Sequence, residues 1–254
     1  MNSDSSVEIR DVRYAYDDGT PVLRGASMTV ADGAVHALMG ANGAGKTTLL
    51  RLVAGLREPD AGAVRVAGDD PVVGFAPENP RAGFFAETVA EEVAFFPKNR
   101  GLDVDRHVEE AIAAMDVADL RDRRPLSLSG GEQRAVSLAS VLAGDPAVVA
   151  LDEPSSGLHA PAQRRLGELL CGLDRTVLCS THDADFAYEF ADAVSVLVDG
   201  EVARTGDPAE VLSDRDLLSR AGIRTPGLVE LAAELSLSRV PSSLDEAAEE
   251  VAER

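Results

Sequence analysis

The chain has 254 residues, 45% of them hydrophobic, enough for one large domain with a small second lobe. Its formal net charge is −20, with 44 acidic against 24 basic residues, which argues against a general nucleic-acid binder needing a positive surface. The longest apolar runs, such as AVVAL at 147–151, fall far short of the ~20 residues of a membrane-spanning helix, and MNSDSSVEIR at the start holds no apolar signal segment, so a cytoplasmic location is expected.

Val7–Val12 and Ala26–Val30 alternate as strands around the turn-rich YDDGTP. Ala34–Met39 is a short apolar run without helical period and reads as a buried strand; a glycine-rich loop then leads into the helical KTTLLRLVAGL. Strands follow at Val64–Val66 and Val72–Ala76. The second ends in Pro77-Glu78-Asn79-Pro80, where two prolines forbid regular structure and hold an acid in a stiff turn. From about Glu87 to Ala143 the pattern is predominantly helical. Strands return at Ala147–Leu151, Thr176–Ser180 and Ala193–Val198 with helices between them, so an α/β core carries a helical insertion. The last forty residues are amphipathic helical pieces broken at Pro226 and Pro241. Cys171 and Cys179, without metal-ligand neighbours, read as two reduced core thiols. The acids are spread along the chain, as in proteins whose carboxylate surface keeps them hydrated in a salt-rich cytoplasm, rather than gathered into a tail.

Four segments carry chemistry. GANGAGKTT at 40–48 fits G-x-x-x-x-G-K-[ST] between a strand and a helix. Glycines there let backbone N–H groups turn around phosphate oxygens, and the helix N-terminus adds positive potential. Lys46 is placed for the β- and γ-phosphates and the Thr47 hydroxyl for Mg²⁺. Lysine is rare here, only Lys46 and Lys98 against 22 arginines, so its place in this segment is hard to dismiss as background. AVVALDEP at 147–154 ends a buried strand in two acids: Asp152 as a Mg²⁺ holder opposite Thr47, and Glu153 as general base for the attacking water. An acidic pair after a strand is more often a helix cap or a solvated loop, and the pairing with the phosphate loop reverses those odds. LSLSGGEQR at 126–134 offers free N–H groups at a helix start, which equally fits a plain N-cap by Ser129 with Glu132 in the first turn. His182, after another strand, is within reach of a γ-phosphate or is a polar loop residue.

In this order the segments resemble the nucleotide-binding subunit of an ABC transporter, over roughly residues 7–212. The resemblance implies an α/β fold: a P-loop NTPase ABC ATPase core with an antiparallel β subdomain, a helical signature-motif subdomain at about 80–143 and a short helical C-terminal extension at 213–254 after an ATPase domain at 1–212. It implies ATP and Mg²⁺ as ligands. Gly40, Asn42, Gly43, Ala44, Gly45, Lys46, Thr47 and Thr48 form the Walker A loop, and Asp152 and Glu153 close Walker B. Ser129, Gly130, Gly131 and Glu132 fall in the signature motif, expected to act on the ATP of a partner subunit. Ser156, Gly157, Leu158 and His159 stand at the D-loop, and His182 is the switch histidine. Tyr16 aligns with the aromatic that stacks on adenine, with Tyr14 as the alternative. The family works as a dimer, so a homodimer or a heterodimer with a related ATPase is expected, peripheral on the cytoplasmic membrane face.

ETVAEEVAFFPKNRGL at 87–102 and the tail SRAGIRTPGLVELAAELSLSRVPSSLDEA are similar to energy-coupling-factor ATPases. That group implies an integral membrane coupling protein and a substrate-binding membrane subunit as partners, with cobalt, nickel or a vitamin such as biotin as cargo. A conventional binding-protein-dependent importer stays open beside it, and a soluble ABC ATPase acting on nucleic acid is the less favoured reading. Two positions depart from the family. Glu78 stands where a glutamine usually meets Mg²⁺ and the attacking water, and His159 where the D-loop aspartate is expected. A carboxylate at 78 keeps an oxygen for the metal but loses the amide donor and adds charge; otherwise Asn79 or a water takes over the contact.

Overall fold

The computed structural model describes residues 5–235, 237, 239–241 and 244–252. The first four residues of the opening segment, and Ser236, Ser238, Ser242, Ser243, Glu253 and Arg254 of the expected extension, lie outside the described residues.

The chain opens with the hairpin of β1 (Ser5–Ala15) and β2 (Pro21–Ala31), and β4 (Ala61–Val66) pairs with the other edge of β1. All three are antiparallel. Strand β1 runs past the expected end at Val12 because a pairing irregularity between Ile9 and Val12, with Asp11 at φ 43°, breaks the alternation that marks a strand.

Between β2 and β4 the chain enters a second sheet through β3 (Val35–Met39) and leaves it in helix α1 (Lys46–Val53). The remaining strands of this sheet are β5 (Val73–Ala76), β6 (Val148–Asp152), β7 (Thr176–Thr181), β8 (Ala193–Val198) and β9 (Glu201–Gly206). Their spatial order is β5-β6-β7-β3-β8-β9; the first five run parallel and β9 is antiparallel to β8. The last strand was absent from the sequence reading. Asp199-Gly200, at φ 51° and 83°, makes the two-residue turn that joins it to β8.

Both faces of this sheet are covered, which is why its central strands read as continuous apolar runs. Val35, Ala37, Met39, Val149, Leu151, Val177 and Cys179 face one core; Leu38, Val148, Ala150 and Leu178 face the other. Each fully buried leucine or valine among them contributes about 1.5–3 kcal/mol. The second core is closed by α1 and the antiparallel sheet, through Leu49, Leu50, Ile9 and Val30.

The helical lobe has its own core. It comprises α2 (Val89–Val93), α3 (Phe95–Arg100), α4 (Val104–Ala114) and α5 (Gly130–Ala143). Thr88 and Glu91 form a reciprocal cap at the start of α2, and Asp103 caps α4. Returning to the sheet, α6 (Ala160–Cys171), α7 (Ala184–Phe190), α8 (Pro208–Val211) and α9 (Arg215–Ala221) bury Leu166, Leu170, Phe186, Val211 and Leu218 in the first core. Helices α10 (Gly227–Glu234) and α11 (Leu244–Ala252) follow, after Pro226 and Pro241 as the breaks expected from sequence. Among the described residues no helix is long and apolar enough to cross a membrane.

The two thiols separate. Cys179 is buried, and burial pushes its pKa up to about 12, whereas Cys171 is exposed rather than in the core. It ends α6, where the helix turns out at Gly172, and its Sγ bonds the Phe190 carbonyl at 3.3 Å.

Candidate functional site

Strand order assembles the site. Strands β5, β6, β7 and β3 are consecutive neighbours and parallel, so their C-terminal ends lie along one edge. The register pairs Ala76 with Leu151, Asp152 with Ser180, and Met39 with Thr181. The segments after them, bearing Glu78, Glu153, His182 and the glycine loop, are thereby delivered to one place, the usual position of a ligand on an open α/β sheet.

The loop is a backbone cradle. Gly40, Gly43 and Gly45 stand at φ 153°, 83° and 108°. At Gly40 a Cβ would sit 2.4 Å from the Leu197 carbonyl oxygen, and at Gly45 one would meet Leu23 Cδ2 at 2.9 Å, so neither tolerates a side chain. Lys46 is buried and folds back over the loop, donating to the carbonyls of Gly40 at 2.7 Å and Ala41 at 3.3 Å. Its Nζ lies 3.6 Å from Glu153 Oε1. The Thr47 hydroxyl donates to Asp152 Oδ1 at 3.0 Å, and the Ser180 hydroxyl donates to the same oxygen at 2.8 Å.

Glu153 is backbone-strained: φ is 47°, a left-handed conformation that costs a non-glycine residue roughly 1–2 kcal/mol. Its N–H is held by Ser180 Oγ at 2.9 Å and its carbonyl by Arg134 at 2.9 Å. Its carboxylate, almost fully buried, accepts a hydrogen bond from His182 Nδ1 at 2.8 Å, while the His182 side chain is 62% exposed.

Tyr16, Val22, Ala41, Asn42, Gly43, Gly45, Lys46, Thr47, Thr48, Glu78, Glu153 and His182 line one cavity of about 410 Å³. Of the loop residues expected to bind nucleotide, Gly40 and Ala44 are not on its wall. Gly40 contributes its carbonyl to Lys46, and Ala44 closes a turn on the Ala41 carbonyl at 3.1 Å while packing against the core. Tyr16 lines the cavity and Tyr14 is buried. The Tyr16 hydroxyl bonds Thr48 Oγ1 at 3.0 Å, and the Arg57 guanidinium lies 5.3 Å from its ring centre. Arg57 also donates to the Tyr14 hydroxyl at 2.7 Å, a contact across 43 positions that nothing in the sequence announced. Ser180 escaped the sequence reading too, since a serine inside an apolar strand carries no signal of its own.

In the proline-flanked turn after β5 the exposed Glu78 faces the cavity, and Asn79 does something else: its Oδ1 accepts from Arg81 N at 3.2 Å and caps the short turn Pro80–Ala82. The signature segment stands outside the cavity of its own chain. Ser129 and Glu132 form the reciprocal cap of α5: Glu132 Oε2 accepts from both Ser129 N and Ser129 Oγ at 2.7 Å. Those hydrogen bonds hold the Glu132 carboxyl below the usual carboxylate range. Gly130 and Gly131 remain open at this helix start, Gly131 facing Leu158. His159 caps α6 with Nδ1, accepting from Ala162 N at 3.4 Å, while Ser156 and Gly157 turn the chain before it.

Among the described residues no cluster of three or more His, Cys, Asp or Glu side chains can hold a metal alone. The donor set does fit Mg²⁺, which takes one or two carboxylates and completes its shell with water and phosphate oxygens; the Asp152 carboxylate and the Thr47 hydroxyl supply such oxygens.

A glycine-cradled loop at the end of a parallel strand, followed by a lysine and an oxygen-only acidic tip, defines an α/β nucleotide-binding protein of the phosphate-loop class. The ABC transporter family model matches residues 23–156. The energy-coupling factor transporter ATP-binding protein EcfA of Methanocaldococcus jannaschii is 37% identical over 243 residues, covering 89% of this chain and 87% of that protein. EcfA of Carboxydothermus hydrogenoformans is 38% identical over 242 residues, with 89% of each covered. The solved structure of cbiO1 from Clostridium perfringens, described as part of the ABC transporter complex cbiONQ, is 28% identical with a TM-score of 0.76, over 91% of this chain and 100% of that one. The chain belongs to the ABC transporter family, as an ATP-binding subunit resembling the energy-coupling-factor ATPases.

Proposed function

We propose that this chain hydrolyses ATP to power an energy-coupling-factor importer from the cytoplasmic membrane face, as a dimer with itself or with a related ATPase. The observation that carries the hydrolytic part is the Glu153 carboxylate, buried at a strand tip between Lys46 at 3.6 Å and His182 at 2.8 Å on the wall of the cavity that the glycine loop lines.

In this reading the N–H groups of Gly43 and of residues 45–48 and the Lys46 ammonium receive the phosphates, and Tyr16, braced by Thr48 and Arg57, receives the base. Glu153 orients a water and takes its proton as the oxygen–γ-phosphorus bond forms and the bond to the bridging oxygen breaks. His182 holds that carboxylate through Nδ1. Thr47 and Asp152 would hold Mg²⁺, which when bound neutralises charge on the phosphate oxygens. Ser129, Gly130, Gly131 and Glu132 lie outside their own chain's cavity, in keeping with a role at a partner's ATP, and Ser156 to His159 would lie beside them. Glu78, on the cavity wall in the turn after β5, would act as the Mg²⁺-proximal sensor in place of the family's glutamine.

Support for an integral partner comes from Phe85, Phe95 and Phe96, exposed by 62%, 39% and 41% on the helical lobe and stacked edge-to-face at 4.6 and 5.5 Å. An apolar ladder of this kind on so acidic a surface fits a docking helix of a membrane protein. Cobalt, nickel or a vitamin such as biotin remain the cargo classes. Pull-down of the tagged chain from solubilised membranes tests the class. Recovery of a coupling protein with a small substrate-binding membrane subunit is expected; conventional permeases with a soluble binding protein would replace the energy-coupling-factor reading.

A further inference from the structure

Arg134 lies on the first turns of α5, beyond the signature segment, and its guanidinium is spread across three main-chain carbonyls. One nitrogen donates to Glu153 O at 2.9 Å, and the other to Glu78 O at 3.1 Å and Ser156 O at 3.3 Å. The three acceptors belong to the turn after β5, the residue that follows β6 and the segment leading to α6. Only the planar fork of an arginine presents donors in two directions at fixed angles; a lysine ammonium is a single point.

The Glu153 backbone gives this contact its significance. A non-glycine residue at φ 47° persists only where its surroundings over-determine it. Here the N–H is fixed by Ser180 from β7 and the carbonyl by Arg134 from α5, so the carboxylate direction depends on a helix of the other lobe. Glu78 and Glu153 also lie near enough to favour the charged guanidinium, against the partial burial that lowers its pKa.

We infer that Arg134 is a positioning residue that ties the signature helix to the catalytic carboxylate, holding Glu153, the Glu78 turn and Ser156 in one geometry through their carbonyls. Movement of α5 relative to the sheet is thereby converted into a change in the aim of Glu153, and hydrolysis becomes conditional on the placement of the helical lobe. This rests on the hydrolytic reading above. Arg134 is not among the residues that line the cavity and reaches it only through the carbonyls of Glu153 and Glu78, so nucleotide affinity is expected to change little without it.

The test compares wild type, Arg134→Met and Arg134→Lys in the complex recovered from membranes. Phosphate release gives kcat and KM, a fluorescent ATP analogue gives Kd, and a melting curve reports folding. Arg134→Met is expected to lower kcat about 10- to 100-fold, the usual cost of a displaced catalytic group, with Kd changed less than about threefold. Arg134→Lys is expected to recover only part of kcat. A kcat within about twofold of wild type in both variants overturns the inference, as does a loss of affinity that accounts for the whole fall in kcat/KM. If Arg134→Met does not fold, the kcat and Kd of Arg134→Lys decide alone. A wild type that binds ATP without turning it over removes the hydrolytic reading itself, whereas an active wild type with equally active variants removes only this inference.

Discussion

Glu153→Gln changes one oxygen to an amide nitrogen and keeps the shape. The glutamine carbonyl can still accept from His182, which bonds Glu153 at 2.8 Å, and the backbone contacts of residue 153 with Ser180 and Arg134 are untouched. What disappears is proton acceptance, worth 10²–10⁴-fold, or about 2.7–5.4 kcal/mol of barrier. The ion pair with Lys46 also disappears. At 3.6 Å its gross attraction is about 4–5 kcal/mol at an effective dielectric near 20, most of it offset by desolvation of two buried groups. Removing it frees Lys46 for phosphate oxygens and removes a negative charge from the cavity wall, so ATP should bind at least as tightly. Phosphate release under saturating Mg²⁺-ATP and a Kd from a fluorescent analogue measure the two effects separately. A turnover reduced less than about threefold would refute Glu153 as the base. Parallel loss of affinity and turnover would make it a structural residue of the cradle.

Glu78→Gln is expected to hydrolyse ATP at least as fast as wild type, since it restores an amide and removes a charge from the cavity wall; a large loss of phosphate release would show that the carboxylate itself is required. Tyr16→Ala should weaken ATP by about 1–3 kcal/mol of stacking while Tyr14→Phe leaves Kd unchanged, and a titration giving the reverse order would move base recognition to Tyr14. His36, buried beside Ser195, has its pKa lowered from 6.5 to about 4 by desolvation. The unfolded chain therefore binds this proton first: the stability His36 allows is complete above pH 6.5 and falls by about 1.4 kcal/mol per pH unit down to about pH 4. Denaturant melts of wild type and His36→Gln should diverge across that window, and parallel curves would show that His36 does not remain neutral.

The glycine loop was legible because its chemistry is local: three glycines at positive φ, a lysine and a threonine within nine residues. The strands β3, β6, β7 and β8 were legible because both their faces are buried. Strand β9, half of a surface hairpin with EVARTG largely polar, lacked that run, although Asp199-Gly200 between alternating residues marks such a hairpin. Cys171 was placed in the core for want of metal-ligand neighbours, yet the helix presents it outward at its last turn. Ser180, Arg57 and Arg134 act only through partners 19 to 56 positions away, and sequence spacing carries none of that. The alternative of a helix cap for Ser129 was also realised, and the same geometry leaves Gly130 and Gly131 open.

The central claim is hydrolysis of ATP coupled to a membrane partner. Its most direct measurement is phosphate release by the complex recovered from membranes, with Mg²⁺ present and then chelated. Mg²⁺-dependent turnover that Glu153→Gln abolishes is the predicted result. A complex that binds ATP but releases no phosphate with Mg²⁺ present would contradict the account.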